Sequence, residues 1–301
     1  MVEHVRPESP FDGRYEIEGF LRPGRYGDLW AARRAPDGGA VALKLLKPEL
    51  FKDGEAIRRF QREVRLLLAF EHPYLLRVLD HGTTTGGDPY VVLERREGRL
   101  LSDLVARGPL PLVRVRTIGA QIARVLAAAA ARGIVHRGLC PDAILLVGET
   151  DEVKVLDFGL AIVFRAEGEP RLTEHGQRLG DPVYMAPEYI QEFRSDGKSD
   201  LYALGILLYE LATGDPPFRG RPMDVLDAHV STTPAAPSAA VGSALDRATS
   251  GAEPVPAWFD GLVLALLDKD PERRPDATGV ARSLVAAQWP PPSDVTGPFA
   301  T

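Results

Sequence analysis

The chain has 301 residues, 45% of them hydrophobic and 26% charged, as expected for a globular protein of one large or two smaller domains. A formal net charge of −6 without a basic stripe argues against nucleic-acid binding, and no apolar stretch reaches the roughly 20 residues of a membrane span or resembles a signal peptide. The single cysteine excludes an internal disulfide and agrees with the cytoplasmic location that we expect.

The first third of the sequence predicts short strands in antiparallel hairpins around one helix. Residues 1–13 carry proline and charge without periodicity, so we expect a flexible N-terminus there. A helix is predicted over 55–70, where apolar residues recur at helical spacing and Glu63 lies at the edge of the apolar face. Strands bounded by turn residues are predicted in the segments YEIEGFL, DLWAARR, AVALKLL, LLRVLDHG and DPYVVLE.

From about residue 97 the sequence becomes mainly helical. Apolar spacing predicts a helix over 112–132, and the segment 199–214 is apolar nearly all round, which is typical of a core helix. Residues 231–256 are rich in Ala, Pro, Ser and Gly, and we interpret them as a long surface loop. Two further helices are predicted in WFDGLVLALLDKD and ATGVARSLVAA, and 290–301 is interpreted as a tail or linker.

These elements predict an α+β fold of two lobes. A small antiparallel-sheet lobe with one main helix would occupy 14–94, and a larger, mostly helical lobe would occupy 95–289. Residues 95–98 would connect the two. Because clefts between lobes commonly bind ligands, we expect a ligand site there.

Two features of the first lobe have both a functional and a bland interpretation. Gly24 and Gly27 lie in the turn LRPGRYGDLW, where glycines allow backbone amides to approach phosphate, although an ordinary hairpin turn looks the same. Lys44 and Glu63 could be ordinary surface charges without a functional role. Lys44 argues against this interpretation, because it lies inside an apolar strand where an unpaired charge is costly.

Several motifs follow in a fixed order: HRGLCPDA, then VLDFGLA, YMAPE, SDLYALG and DPERRP. Together with the glycine turn and Lys44 they resemble a eukaryotic-like Ser/Thr protein kinase domain of the bacterial type, over residues 14–285. The resemblance implies the bilobal kinase fold, with an activation segment over 157–188. The glycine turn departs from the family pattern, because Arg22 replaces its first glycine and Leu29 its usual valine.

The resemblance also implies a nucleotide site. Lys44 would hold the α- and β-phosphates of ATP, Glu63 would position Lys44, and Asp157 would bind Mg²⁺. Apolar side chains would enclose the adenine, although they are equally suited to an ordinary core. The nucleotide-binding residues implied are Leu21, Gly24, Gly27, Leu29, Ala42, Lys44, Glu63, Leu93 (the gatekeeper), the backbone near Glu94 and Arg96, Leu145 and Asp157.

Other matched residues maintain the fold in the family. By resemblance Glu188 pairs with Arg274, and Asp200 anchors the backbone of the catalytic loop. His136 and Arg137 keep the frame of that loop. These residues indicate the architecture and say little about activity.

The catalytic loop itself departs from the family pattern His-Arg-Asp-Leu-Lys-Pro-x-Asn. Gly138 replaces the Asp that accepts the substrate proton, Cys140 the Lys beside the moving phosphoryl group, and Ala143 the Asn that binds a second Mg²⁺. A positioned general base contributes about 10²–10⁴-fold to rate, and one preorganised charge about 3–4 kcal/mol. Asp181 occupies the position of an activation-segment Thr, whose two partners are also missing.

Three side chains leave alternatives open. Asp142 and Asp181 are candidates to replace the missing base, and Asp181 is the better of the two. Cys140 is interpreted as a buried filler, with a reactive thiol as the alternative. Thr173 is the one Ser or Thr between Asp157 and Glu188, so another kinase could phosphorylate it, with Arg137 gripping the phosphate.

The sequence therefore favours a pseudokinase, a kinase-like module that binds ATP, with at most one Mg²⁺, and regulates or scaffolds an unidentified protein partner. Whether it is an enzyme stays open. A divergent Ser/Thr kinase of low activity is the first alternative, and an interaction module with a closed nucleotide pocket is the second. Neither nucleic acid nor a membrane segment is expected.

Overall fold

The computed structural model describes residues 11–47, 51, 54–84, 86–158, 181–245 and 254–290. Within them the chain divides into two compact units. The first unit comprises the described residues up to 72 together with 76–97, and the second comprises 73–75 and the described residues from 98 onward. No helix in these described ranges has the length and apolar character needed to cross a membrane.

A five-stranded antiparallel sheet forms most of the first unit. Its strands are ordered β1-β2-β3-β5-β4, and helix α1 lies between β3 and β4 in the sequence. Side chains alternate along β1, where Tyr15 and Ile17 are buried and Glu16 and Glu18 are exposed. The elements are β1 Tyr15–Arg22, β2 Gly27–Arg34, β3 Ala40–Leu46, α1 Gly54–Leu68, β4 Val78–Thr83 and β5 Pro89–Glu94.

The core of this sheet extends beyond β1 towards the N-terminus. Phe11 is only 7% exposed, and its ring meets the Tyr90 ring edge-on at 5.0 Å. Asp12 accepts hydrogen bonds from the Tyr90 hydroxyl at 2.5 Å and from Arg14 Nη2 at 3.0 Å. The flexible N-terminus expected over 1–13 is therefore wrong for residues 11–13, which a buried ring and a bonded carboxylate fix. Residues 1–10 lie outside the described residues.

The second unit is mainly helical, with one small sheet of order β6-β7-β8. Its first elements are β6 Arg99–Leu100, α2 Leu101–Val105, α3 Leu112–Ala130, β7 Ile144–Val147 and β8 Glu152–Val155. The later helices are α4 Pro187–Glu192, α5 Gly197–Thr213, α6 Pro222–Ser231, α7 Pro237–Leu245, α8 Ala257–Leu266 and α9 Ala277–Ala286. The antiparallel sheet of the first unit and the helices of the second confirm the predicted fold class.

Helix α5 is the central element of the second unit, buried at every position from Ser199 to Thr213. Asp196 begins it with a capping box, and Gly214 ends it at φ 86°, a left-handed conformation that glycine adopts without strain. Helix α3 packs closely on α5, because a Cβ added to Gly119 would lie 2.5 Å from the Leu208 side chain. The burial on all sides explains the uniformly apolar sequence.

The interpretation of residues 231–256 as a long loop is wrong for the middle of that range. Helix α7 occupies Pro237–Leu245, and Ser238 is bonded through its backbone N–H and its hydroxyl to the Asp260 carboxylate of α8, at 2.9 and 2.5 Å. Proline is favoured in the first turn of a helix and alanine is the strongest helix former. The composition that suggested a loop is thus compatible with a short helix.

Candidate nucleotide and catalytic-loop site

In the glycine turn between β1 and β2, the backbone at Gly24 and Gly27 packs closely against neighbouring backbone atoms. A Cβ on Gly27 would lie 2.0 Å from the Leu45 carbonyl oxygen, and one on Gly24 would lie 2.6 Å from that of Gly27. Both positions therefore require glycine for packing within the first unit. This requirement does not distinguish a phosphate-covering loop from an ordinary hairpin, and the assignment of Gly24 and Gly27 to a nucleotide stays a prediction.

Lys44 is only 4% exposed in the middle of β3, opposite Leu29 on β2 and Val91 on β5. Its ammonium lies 5.6 Å from the centre of the Tyr26 ring, a distance at which a cation is attracted to the ring face. Sequence reasoning missed Tyr26, although an aromatic residue between Gly24 and Gly27 was a visible signal. Glu63 is partly buried on α1, and its pairing with Lys44 stays a prediction.

The apolar residues assigned to the adenine differ in exposure. Ala42 and Leu93 are buried, and they face each other across β3 and β5. Leu21, by contrast, is 43% exposed at the end of β1. Leu29 and Leu145 are partly exposed, on β2 of the first unit and on β7 of the second.

The side chain of Glu94 is engaged within the first unit. It accepts a hydrogen bond from the Arg77 backbone N–H at 3.0 Å and forms an ion pair with Arg96 at 2.8 Å. The Glu94 backbone N–H also donates to the Arg77 carbonyl at 3.0 Å, and the role that the resemblance assigns to the backbone near Glu94 and Arg96 stays a prediction.

His136 and Arg137 are fixed by one carboxylate of α5. Their backbone N–H groups donate to Asp200 Oδ2 at 2.7 Å and Oδ1 at 2.8 Å. Burial raises the pKa of Asp200 to about 7, although these hydrogen bonds oppose the shift. The structure thus places Asp200 where the sequence interpretation placed it, beside the backbone of the catalytic loop.

The imidazole of His136 fixes both ends of the loop. Its Nε2 lies 2.8 Å from the Leu156 carbonyl oxygen, and its Nδ1 lies 3.2 Å from the Gly138 backbone N–H. Because a carbonyl only accepts, Nε2 must carry the proton, and because an N–H only donates, Nδ1 must be bare. His136 is therefore a neutral imidazole that holds the loop to the residue before Asp157.

Two non-glycine residues of this region adopt left-handed backbone conformations, Arg137 at φ 65° and Asp157 at φ 60°. Such conformations cost about 1–3 kcal/mol each and persist only where the surroundings enforce them. For Arg137 the bond to Asp200 is part of that enforcement. The loop keeps a costly geometry although its reactive side chains are missing.

The three replaced positions carry none of the side chains of the family pattern. Cys140 and Ala143 are 5% and 4% exposed, and the Ala143 backbone bonds to the Cys140 carbonyl at 3.0 Å and, through its own carbonyl, to Leu156 N at 2.8 Å. Gly138 carries no side chain. The backbone of the loop is thus ordered, while the base, the cation and the second metal ligand are missing from the sequence.

The two nearby carboxylates lie in short turns of the second unit. Asp142 is exposed in the turn Pro141–Ala143. Asp181 accepts a hydrogen bond from the Val183 backbone N–H at 3.0 Å and caps the turn Pro182–Tyr184. This cap uses one oxygen of Asp181, and the expectation that the carboxylate faces the site of the replaced groups stays a prediction.

Sequence reasoning missed a buried pair beside Asp181. The Tyr184 hydroxyl donates to the Glu210 carboxylate of α5. Burial raises the pKa of Tyr184 and also that of Glu210, whose bond from Tyr184 only partly opposes the shift. Two signals were available: Glu210 is a charged residue in a mostly apolar helix, and Tyr184 lies in the matched motif YMAPE.

Glu188 and Arg274 form the buried ion pair that the resemblance implied. Two parallel hydrogen bonds of 2.8 and 2.7 Å join them, and the Ser199 hydroxyl donates to Glu188 at 2.6 Å. The other guanidinium contacts go to the carbonyls of Asp268, Lys198 and Lys269. Burial raises the pKa of Glu188, but these hydrogen bonds outweigh it, so the pKa lies below its usual value.

No group of three or more metal-ligating side chains occurs among the residues that the structure describes. Asp157 supplies one carboxylate, and alanine at 143 has no donor atom for a second ion. A single Mg²⁺ with ligands from a nucleotide is what this set of side chains fits. Thr173, the possible phosphorylation site, lies outside the described residues.

Comparisons with known proteins agree with this architecture. The serine/threonine-protein kinase pkn2 of Myxococcus xanthus is 33% identical over 300 residues, covering 95% of this chain and 35% of its own length. PkaA of Streptomyces coelicolor, also a serine/threonine-protein kinase, is 35% identical over 299 residues, which are 91% of this chain and 50% of PkaA. The chain thus spans between 35% and 50% of the length of these curated relatives.

The solved kinase domain of Mycobacterium tuberculosis PknI has the same fold. It superposes with a TM-score of 0.71 at 24% identity and covers 94% of this chain and 99% of its own. A family model described as the protein kinase domain matches residues 15–289, and the chain therefore belongs to the protein kinase domain family.

Proposed function

We propose that this protein kinase domain is a pseudokinase that binds ATP, transfers phosphate poorly, and acts as a regulatory or scaffolding module in cytoplasmic signalling. One observation carries the proposal. The frame of the catalytic loop is intact through His136 and Asp200, while Gly138, Cys140 and Ala143 lack the base, the cation and the metal ligand.

Nucleotide binding is supported by the residues that remain. Lys44 keeps a buried ammonium, which is typical of a residue that holds an anion in a low-dielectric site. Asp157 is the remaining carboxylate for one Mg²⁺ bridging the phosphates. We therefore expect ATP to bind with weak dependence on Mg²⁺.

Thermal unfolding with and without ATP and Mg²⁺ tests the binding step. ATP at 100 times its Kd should stabilise the protein by about 2.7 kcal/mol. The variant Lys44→Ala should lose this shift, and Lys47→Ala, which removes an exposed lysine near the end of the same strand, should keep it. Absence of any shift at millimolar ATP would instead favour the interaction module with a closed pocket.

Phosphate transfer from labelled ATP tests the catalytic impairment. We expect little transfer from the natural chain and about 10²-fold more after Gly138→Asp, because a base is restored. Gly138 is not among the residues with positive φ, so aspartate can adopt its backbone conformation. The further changes Cys140→Lys and Ala143→Asn would replace the other two groups.

A Ser/Thr kinase of low activity is the second candidate, because the curated relatives are themselves named serine/threonine-protein kinases. It predicts transfer by the natural chain that disappears in Lys44→Ala and Asp157→Ala. Transfer of that kind would overturn the pseudokinase proposal without affecting nucleotide binding. The proposal also includes phosphorylation of Thr173 by another kinase. It includes a protein partner that is regulated, whose identity is not specified.

A further inference from the structure

Helix α1 is buried on one side only. Four of its residues, Ala56, Phe60, Val64 and Leu67, are each at most 4% exposed and recur at helical spacing. The Phe60 ring meets the His81 ring of β4 edge-on at 6.3 Å, so β4 lies against this buried side. The opposite side of the helix faces away from the core of the first unit.

Three arginines occupy that opposite side. Arg58, Arg62 and Arg65 are exposed, and at about 3.6 residues per turn they form one row along the helix. In the part of the chain that the structure describes, none of their guanidinium groups has a carboxylate within 4.0 Å. Leu66 and Leu68, 44% and 36% exposed, flank the row on its two sides. We call these five residues the arginine face.

The carboxylates of the adjoining segments are engaged elsewhere. Glu71, which follows α1, forms an ion pair with Arg77. Asp80 of β4 forms an ion pair with Arg14 at 2.8 Å and accepts a hydrogen bond from the Tyr15 hydroxyl at 2.9 Å. Neither of these two carboxylates therefore neutralises the arginine face.

The row of arginines is unfavourable for the helix by itself. Like charges three or four residues apart destabilise a helix, and Arg58, Arg62 and Arg65 are spaced in that way. Glu63 does not relieve the repulsion from within the row, because it is partly buried and its position lies on a different side of the helix. A row of anionic side chains from outside would remove the repulsion and form ion pairs.

We propose that the arginine face docks an acidic amphipathic helix of a protein partner. The carboxylates of that helix would recur at i, i+4 and i+7, opposite the three arginines, and its apolar side chains would cover Leu66 and Leu68. Charge complementarity carries the assignment, because the face is cationic and unpaired in a chain whose net charge is −6.

A nucleic acid or an anionic membrane fits the same surface less well. Both are extended anionic surfaces, and the net charge of −6 repels them within about 10 Å at moderate salt. A phosphate backbone also supplies no apolar group to cover the two leucines. The inference rests on the part of the proposed function that assigns a protein partner, and it is independent of nucleotide binding.

Fluorescence anisotropy with the full chain and a labelled acidic peptide tests the proposal at about 0.1 M salt. The peptide is an alanine-based helix with three glutamates at i, i+4 and i+7 and leucines on both sides of that row. The triple variant Arg58→Gln/Arg62→Gln/Arg65→Gln should weaken its binding at least about ten-fold, because three ion pairs are lost together. Glutamine forms helices about as well as arginine, so α1 should persist.

A second triple variant separates the arginine face from net charge. Arg107→Gln/Arg194→Gln/Arg273→Gln removes the same charge from exposed positions of the second unit, and it should change the Kd by less than about two-fold. A scrambled peptide of the same composition, without the helical spacing of glutamates, should bind several-fold more weakly. Equal binding by the natural chain and the α1 variant, equal weakening in both variants, or equal affinity for both peptides would overturn the proposal.

Two further arms decide between classes of partner. A short DNA duplex, and vesicles of phosphatidylcholine and phosphatidylserine in equal parts, should bind more weakly than the acidic peptide; tighter binding of either would overturn the assignment to a protein. Thermal unfolding with ATP on the same samples separates this inference from the proposed function. An ATP shift without peptide binding contradicts the docking surface alone, whereas peptide binding without an ATP shift supports docking and contradicts only nucleotide binding.

Discussion

Two regions of the second unit contrast in what their polar residues do. Around Arg274 the contacts are complete, with a bidentate pair to Glu188 and further bonds to backbone carbonyls. In the catalytic loop, by contrast, positions 138, 140 and 143 carry Gly, Cys and Ala. The polar groups that hold the fold are present, whereas the three that the family pattern has in the catalytic loop are replaced. The contrast indicates that the architecture and the chemistry of this fold are separable.

The largest effect is expected from breaking the complete region. Arg274→Ala leaves the Glu188 carboxylate buried without its cation, which costs about 3–5 kcal/mol. Urea unfolding measures the loss. Arg273→Ala is the matched control, because that arginine is exposed and reaches Asp270 only at 3.5 Å, and it should cost less than about 1 kcal/mol. Equal losses for the two variants would contradict the importance assigned to the buried pair.

A smaller effect is expected from Ser199→Ala. This change removes the hydroxyl that donates to Glu188 at 2.6 Å and accepts from the Asp196 backbone N–H at 3.2 Å. A hydrogen bond to a charged group contributes about 1.5–3 kcal/mol, so unfolding should require correspondingly less urea. Ser231→Ala provides the comparison, since that exposed hydroxyl donates only to the Asp227 carbonyl. A neutral result for Ser199→Ala would show that Arg274 alone satisfies Glu188.

Asp200 makes the stability of the same region depend on pH. Because burial raises its pKa from 3.8 to about 7, the folded protein binds more protons than the unfolded chain between those values. The contribution of Asp200 to stability is therefore fully present below about pH 4 and decreases as pH rises to about 7, by at most about 1.4 kcal/mol per pH unit. Urea unfolding at a series of pH values between about 4 and 7 measures this dependence. The free energy of unfolding of Asp200→Asn should lack the decrease with pH, whereas that of Asp103→Asn, a change at an exposed position, should retain it.

Much of this architecture could be predicted because local patterns carried it. The alternation in β1, the apolar run of α5 and the ordered motifs each reflect a physical requirement that is visible in a short segment. Lys44 was recognisable because a charge inside an apolar strand demands an explanation. The pairing of Glu188 with Arg274 came from the family resemblance, since 86 residues separate them.

The missed features depend on contacts that no short segment encodes. Phe11 is fixed by the Tyr90 ring, which lies far along the chain, and its own neighbours suggested a flexible end. The cap made by Asp181 was also not anticipated, although an Asp before a turn can bond to its own backbone two residues on, and it does so here. Helix α7 was hidden by a composition that suits both a loop and a short helix.

The smallest effect is expected from a change at one of the replaced positions of the catalytic loop, the region contrasted with the surroundings of Arg274. Cys140→Ala removes one buried sulfur atom, which should cost about 1 kcal/mol. The neighbouring Leu139 belongs to the frame and is 2% exposed, so Leu139→Ala should cost about 2–5 kcal/mol in the same urea experiment. A loss at Cys140 as large as that at Leu139 would mean that the thiol has taken over a structural role. A small loss would mean that the frame of the loop is maintained independently of the residue that fills this position.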